Sequence, residues 1–229
     1  MTVQPLDSTY AVNAEVESAL PVILDEAEVA VAAIGRGELI VVVDDEDREN
    51  EGDLIVASEY ADADAINYMI THGRGLVCVS ITPERAAELN LPPMLEYNED
   101  HNGTAFTVSV DGTLAHGVTT GISTWDRAKT IELVVKGTAD DLQRPGHIFP
   151  LIARPGGVVE RPGHTEAAVD LARFAGLEPS GVIVEIINED GTMARLPQLA
   201  EFARREGLVL TSIEKLREYA AARQNAQGK

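Results

Sequence analysis

Among its 229 residues the chain has one cysteine, Cys78. A lone thiol can close neither an internal disulfide nor a thiolate zinc cage, which points to a reducing compartment and hence to the cytoplasm. Aromatics are scarce at 4%, so Ala, Val, Leu and Ile must fill the core that a 45% hydrophobic content supports. Positive charge is scarce too. Eighteen Lys and Arg stand against 38 Asp and Glu, a formal net charge of −20. A surface so acidic repels nucleic acid and anionic membranes, and both are set aside as partners. No apolar run approaches the roughly 18 residues of a membrane span. The opening "MTVQPLDSTYAVNAEVE" lacks the basic start and apolar stretch of a signal peptide.

What is present is an alternation of helical and extended patterns. Helices are expected over 24–37, 62–73, 83–90, 123–137, 164–176, 196–207 and 211–223. Each is marked by a capping residue, a helical apolar period or a closing glycine. Strands are expected over 38–43, 53–59, 75–81, 104–111, 181–187 and 208–210. Runs such as "LIVVV" are apolar on both faces, as in a sheet covered on both sides. "LPPMLEYNEDHNG" (91–103) is loop by composition, and Trp125 and Phe174 read as core. The pattern predicts one α+β domain over 17–224, with a mixed sheet between helical layers. A loose tail over 1–16 and a short polar one over 225–229 flank it.

Three constellations carry chemical meaning. The first is "DDEDRENEGD" (44–53), seven acids in ten residues at the end of a buried strand. Carboxylates so crowded repel one another unless something positive lies among them. Arg48 supplies part of that, and a hard divalent cation would supply the rest. The second is "RPGH", at 144–147 and again at 161–164. Its proline and glycine hold the histidine in a defined place. The second copy opens a helix, where free N–H groups beside Arg161 and Thr165 make an anion site despite the overall charge. The third is Glu185 in "VIVEII". Either its strand is an edge with that face in water, or the carboxylate is buried and used, which suits a general acid or base. "GVTTG" (117–121) offers two hydroxyls or a plain turn, and Cys78 reads as a small buried hydrophobe.

Taken together, "DDEDRENEGD", "GVTTGIS", "RPGHIFPL", "GHTEA" and "NEDGTMAR" resemble the 3,4-dihydroxy-2-butanone 4-phosphate synthase family of riboflavin biosynthesis, in order from about Ala27 to Tyr219. The resemblance implies a lyase that converts D-ribulose 5-phosphate to L-3,4-dihydroxy-2-butanone 4-phosphate and formate with Mg²⁺, or Mn²⁺ in its place. It implies Glu49 and His164 as metal ligands. Arg48, Glu49, Asp53, Glu185 and the segment Arg161, Pro162, Gly163, His164 and Thr165 are implied as substrate-binding. His147 and Glu185 are implied as catalytic. It also implies a homodimer with shared sites, His147 coming from the partner subunit. Family members are often fused to a GTP cyclohydrolase II with a cysteine-ligated zinc; the single Cys leaves that domain unexpected here, and the resemblance fits either a monofunctional enzyme or the N-terminal half of such a fusion. The sequence departs from common forms at Asn102, where some members carry an aromatic or methionine, in a loop that resembles a lid. Two other readings compete with the lyase: a sugar-phosphate binder that uses only the 161–165 segment, and an isomerase that stops at the enediol.

Overall fold

The computed structural model describes residues 22–227. The expected 1–16 tail, the first residues of the expected domain and the last two residues of the chain lie outside that range.

Chain order begins with helix α1 (Ala27–Gly35), strands β1 (Ile40–Val43) and β2 (Gly52–Ala57), and helix α2 (Ala63–Tyr68), which runs on into a single π-turn over Met69–Gly73. Strand β3 (Cys78–Ile81), helix α3 (Pro83–Glu88), strand β4 (Val110–Gly112) and helix α4 (Thr124–Lys136) follow. The chain then forms β5 (Leu142–Ile152), α5 (Gly157–Glu160), α6 (His164–Phe174), β6 (Gly181–Glu185), α7 (Leu196–Glu206), β7 (Val209–Ser212) and α8 (Ile213–Gln227). Local chemistry sets the boundaries. The side chains of Asp62, Thr82 and Ser123 each accept an N–H at a helix start, and Gly207, at φ 68°, ends α7.

The seven strands form one mixed sheet in the order β4-β5-β3-β6-β2-β1-β7. The β3–β5 and β1–β7 pairs are parallel and the others antiparallel. Alternate residues of the strands enter two separate cores. Val41, Val43, Leu54 and Val56 pack with α2, α3, α4 and α7 on one face. Ile40, Val42, Ile55 and Ala57 pack with α1, α5, α6 and α8 on the other. This is the expected three-layer arrangement, and it explains why β1 is apolar on both faces.

Four local expectations change. The chain between α4 and α5, where no regular element is expected from the sequence, contains the eleven-residue strand β5. Its first half pairs only with β4, so one edge is open and Pro145 is tolerated there. The 104–111 strand is regular only from Val110, although Phe106 and Thr107 make isolated bridges. Trp125 is not core. It is 49% exposed on the first turn of α4, while Asp126 turns inward and binds the N–H groups of Thr119 and Gly121. That makes "GVTTG" a turn wound on a carboxylate. Finally, α8 runs to Gln227, past the stop expected at Arg223.

Candidate functional site

The loop joining β1 to β2 is wound around its first acid. Asp44 accepts the backbone N–H of Glu49 at 3.0 Å and of Glu51 at 2.8 Å, and the guanidinium of Arg48 at 2.9 Å. Arg48 also reaches Glu49 at 2.7 Å. One arginine and the loop's own amides therefore offset part of the acidic crowding. Asn50, at φ 55°, makes the bend, and Arg195, at the start of α7, donates to the carbonyls of Glu49 and Asn50.

This loop meets the start of α6. His164 Nδ1 lies 3.7 Å from Glu49 Oε2 and 3.9 Å from Asp53 Oδ1. The other ring nitrogen, Nε2, donates to the carbonyl of Val42 at 3.1 Å. Metal-binding histidines are commonly fixed in this way, one nitrogen on a carbonyl and the other free to ligate. One ligand atom each from Asp44, Glu49 and His164 lies within 4.8 Å of the others. Asp53 is buried, and its Oδ1 has no hydrogen-bond partner. A buried carboxylate oxygen without a hydrogen-bond partner, beside a Glu–His pair, is a donor suited to a cation. The donor set, oxygen-rich with one imidazole, fits Mg²⁺ or Mn²⁺.

The electrostatics agree. Burial works against ionisation of Glu49, but its contacts with His164 and Arg48 outweigh that and bring its pKa down to about 2. Asp53 is pushed up to about 7, chiefly by burial. Burial opposes charge on His164 too, yet Asp53 and Glu49 raise it to about 9.

A cavity of about 200 Å³ opens beside these groups. Arg48, Asp53, Arg161, Thr165 and Glu185 line it with Glu49 and His164, so most of the expected site residues converge. Glu185 ends β6, a central strand, which rules out the edge-strand reading. It pairs in register with Asp53, and its Oε2 accepts the N–H of Leu76 at 2.8 Å. Pro162 is exposed and Gly163 buried, and neither lines the cavity.

Two expected residues stand differently. Arg161 is not a free anion anchor, since it is bonded to buried Glu166 at 2.7 Å and to the backbone carbonyl of Asn102 at 3.1 Å. His147 is not among the cavity residues. It sits on β5, paired with Asp111.

Sequence reasoning missed the inner wall: Cys78, Phe106, Leu151 and Ile183, with Thr104 and Glu51 at the polar side. The thiol of Cys78 is driven well above its ordinary pKa by burial and by Glu185 and Asp53. Asn102, singled out only as a departure from the family, reaches the site: its amide donates to Glu49 Oε1 at 2.9 Å while its backbone oxygen takes Arg161. A polar residue in a lid-like loop was the available signal.

The family model for 3,4-dihydroxy-2-butanone 4-phosphate synthase matches residues 28–219. A riboflavin biosynthesis protein RibBA of Aquifex aeolicus (strain VF5) is 55% identical over 199 residues, 86% of this chain and 49% of its own length. A 3,4-dihydroxy-2-butanone 4-phosphate synthase of Agrobacterium fabrum is 56% identical, over 84% of this chain and 90% of its own. A crystal structure of a 3,4-dihydroxy-2-butanone 4-phosphate synthase in complex with two magnesium ions superposes with a TM-score of 0.80 at 42% identity, covering 84% of this chain and 95% of that one. The chain spans about half the length of the first curated relatives it matches.

Proposed function

Because the chain belongs to the 3,4-dihydroxy-2-butanone 4-phosphate synthase family, we propose that it carries that activity. It would convert D-ribulose 5-phosphate to L-3,4-dihydroxy-2-butanone 4-phosphate and formate, in the cytoplasm, as a step of riboflavin synthesis. The observation that carries this reading is the approach of Glu49 and His164 to 3.7 Å beside the unsatisfied oxygen of Asp53. The reaction needs no oxidant or second substrate, since ketose phosphate carbon, hydrogen and oxygen divide fully between the two products.

Glu49 and His164 would hold the Mg²⁺ or Mn²⁺, with Asp44 next to them. When bound, such an ion polarises vicinal sugar oxygens and stabilises enediolate charge. The remaining work falls to side chains. Arg48 and Asp53 flank the sugar. Asp53, at about 7, can take up or release a proton near neutrality. Glu185 is its cross-strand neighbour, paired in register with it on the same face of the sheet. The first amides of α6, with Thr165, receive the phosphate, and Arg161 lines the cavity beside them. Hydrophobic Phe106, Leu151 and Ile183 shield the reacting carbons from water.

His147 has no place in the cavity of its own chain, which supports a homodimer in which it serves the partner subunit's site. Among the described residues no helix is long and apolar enough to cross a membrane.

Incubation with ribulose 5-phosphate and Mg²⁺ should release formate, and chelation should stop it. Uptake of the sugar phosphate without consumption would favour the binder, and a ketose or aldose product without formate the isomerase.

A further inference from the structure

We propose that Asp111 is the positioning residue of His147, holding its imidazole so that Nε2 alone is presented outward. The inference rests on the reading of His147 as a group that acts on the sugar phosphate.

The local geometry is a bulge with a carboxylate inside it. On the β4–β5 ladder Val110 faces Ile148, but Asp111 faces Gln143. The four residues Arg144, Pro145, Gly146 and His147 lie between these pairings and have no opposite number on β4. Bulges re-aim side chains, and they leave N–H groups without ladder partners. Here side chains of β4 and of the residue just before it take those groups. Ser109 Oγ accepts the N–H of Gly146 at 3.2 Å, and Asp111 Oδ1 accepts that of His147 at 2.9 Å. The second oxygen of Asp111 lies 2.7 Å from His147 Nδ1.

One carboxylate thus grips the histidine twice, at the backbone and at the ring. Room for it is made by glycine. A Cβ at Gly121 would collide with both oxygens of Asp111, and one at Gly146 with the backbone of Val110. The Asp111 side chain is 2% exposed, whereas that of His147 is 46% exposed. The inner edge of the ring is sealed and the outer edge is open.

The chemistry follows from what each atom can do. A carboxylate only accepts, so the ring nitrogen facing it carries the hydrogen. In the neutral ring Nε2 then holds the lone pair and points away from the protein. A buried aspartate also orients the base in unrelated catalytic pairs, and the hydrogen bond made by one ring nitrogen decides the state of the other. If Asp111 served only to stabilise the bulge, its bond to the backbone N–H would be enough.

Asp111→Asn separates the two roles. The amide oxygen can keep the backbone bond, while the NH₂ group turned toward Nδ1 drives the hydrogen to Nε2. ¹⁵N NMR of the His147 ring should show hydrogen on Nδ1 in the wild type and on Nε2 in the variant. Formate release should fall about 100-fold or more in kcat, with KM changed less than about threefold. Asp111→Glu should recover part of the rate, and the wild-type spectrum stands even if the asparagine variant folds poorly. A wild-type ring with hydrogen on Nε2, or an asparagine variant with undiminished kcat, overturns the proposal. Full turnover in His147→Asn would instead sink the functional reading of His147, and the inference with it.

Discussion

The imidazole Nδ1 of His164 faces Oε2 of Glu49 at 3.7 Å and Oδ1 of Asp53 at 3.9 Å, and its own Nε2 is tied to Val42 in the neighbouring strand. Two segments from opposite halves of the chain therefore close on a gap between ligand atoms. Glu49→Gln keeps the size of the side chain and removes its charge. Metal-dependent formate release should fall by more than about 100-fold, with the circular dichroism spectrum unchanged. A variant that keeps half its turnover would remove Glu49 from the site.

Metal binding should expel a proton from His164. The metal-free ring is protonated up to about pH 9, because Asp53 and Glu49 hold its pKa above the ordinary value, and a ligand nitrogen must be neutral. The sign is that of a raised base. Its pairing stabilises the metal-free protein fully below about pH 6.5 and is lost as pH rises through about 9. Affinity for Mn²⁺ should therefore climb with pH and level off above about 9. At pH 8, where Asp53 is largely ionised, calorimetry in buffers of different ionisation enthalpy should report about one proton released per ion.

Asn102→Ala should tighten metal binding in the absence of substrate. The amide of Asn102 occupies Oε1 of Glu49, and an ion must compete with that bond. A hydrogen bond to a charged group is worth about 1.5 to 3 kcal/mol, so a gain of roughly tenfold or more is expected in a Mn²⁺ titration followed by electron paramagnetic resonance. Unchanged or weaker binding would show that the loop assists the ion instead.

Gly146→Ala tests the bulge. The added methyl would overlap the backbone of Val110, a fully buried residue, so the β4–β5 pair must part. Urea unfolding should show a loss of about 3 kcal/mol or more. Mn²⁺ binding by the folded fraction should be unaffected, because β4 contributes no residue to the Glu49–His164 site.

Much of the fold was legible because its signals are local. β1, β2, β3 and β6 are apolar on both faces because helices cover both, and α2, α3 and α4 announce themselves by Asp62, Thr82 and Ser123. β5 was not legible. Pro145, Gly146 and Pro150 read as loop, and only a half-open edge and a bulge let a strand hold them. Trp125 misled because size suggests burial, whereas α4 buries Asp126, Thr130 and Ile131 instead. At the site, the acidic run, the second RPGH and Glu185 could each be singled out. Their meeting could be taken only from the family resemblance, since no spacing links Glu49 to His164. Asp44 looked like one acid among seven, and its role as the hub of the loop depends on the bend at Asn50.

Cys78 forms part of the cavity floor, 3% exposed, with Glu185 and Asp53 for neighbours. Sulfur adds to carbonyl carbon as the thiolate, and these surroundings keep the thiolate population negligible at any physiological pH. A ketone can thus be pressed against the only sulfhydryl of the chain without being captured as a thiohemiketal. By the same token, iodoacetamide or peroxide should leave the Cys78 thiol of the folded protein unmodified and mark it only once the protein has opened.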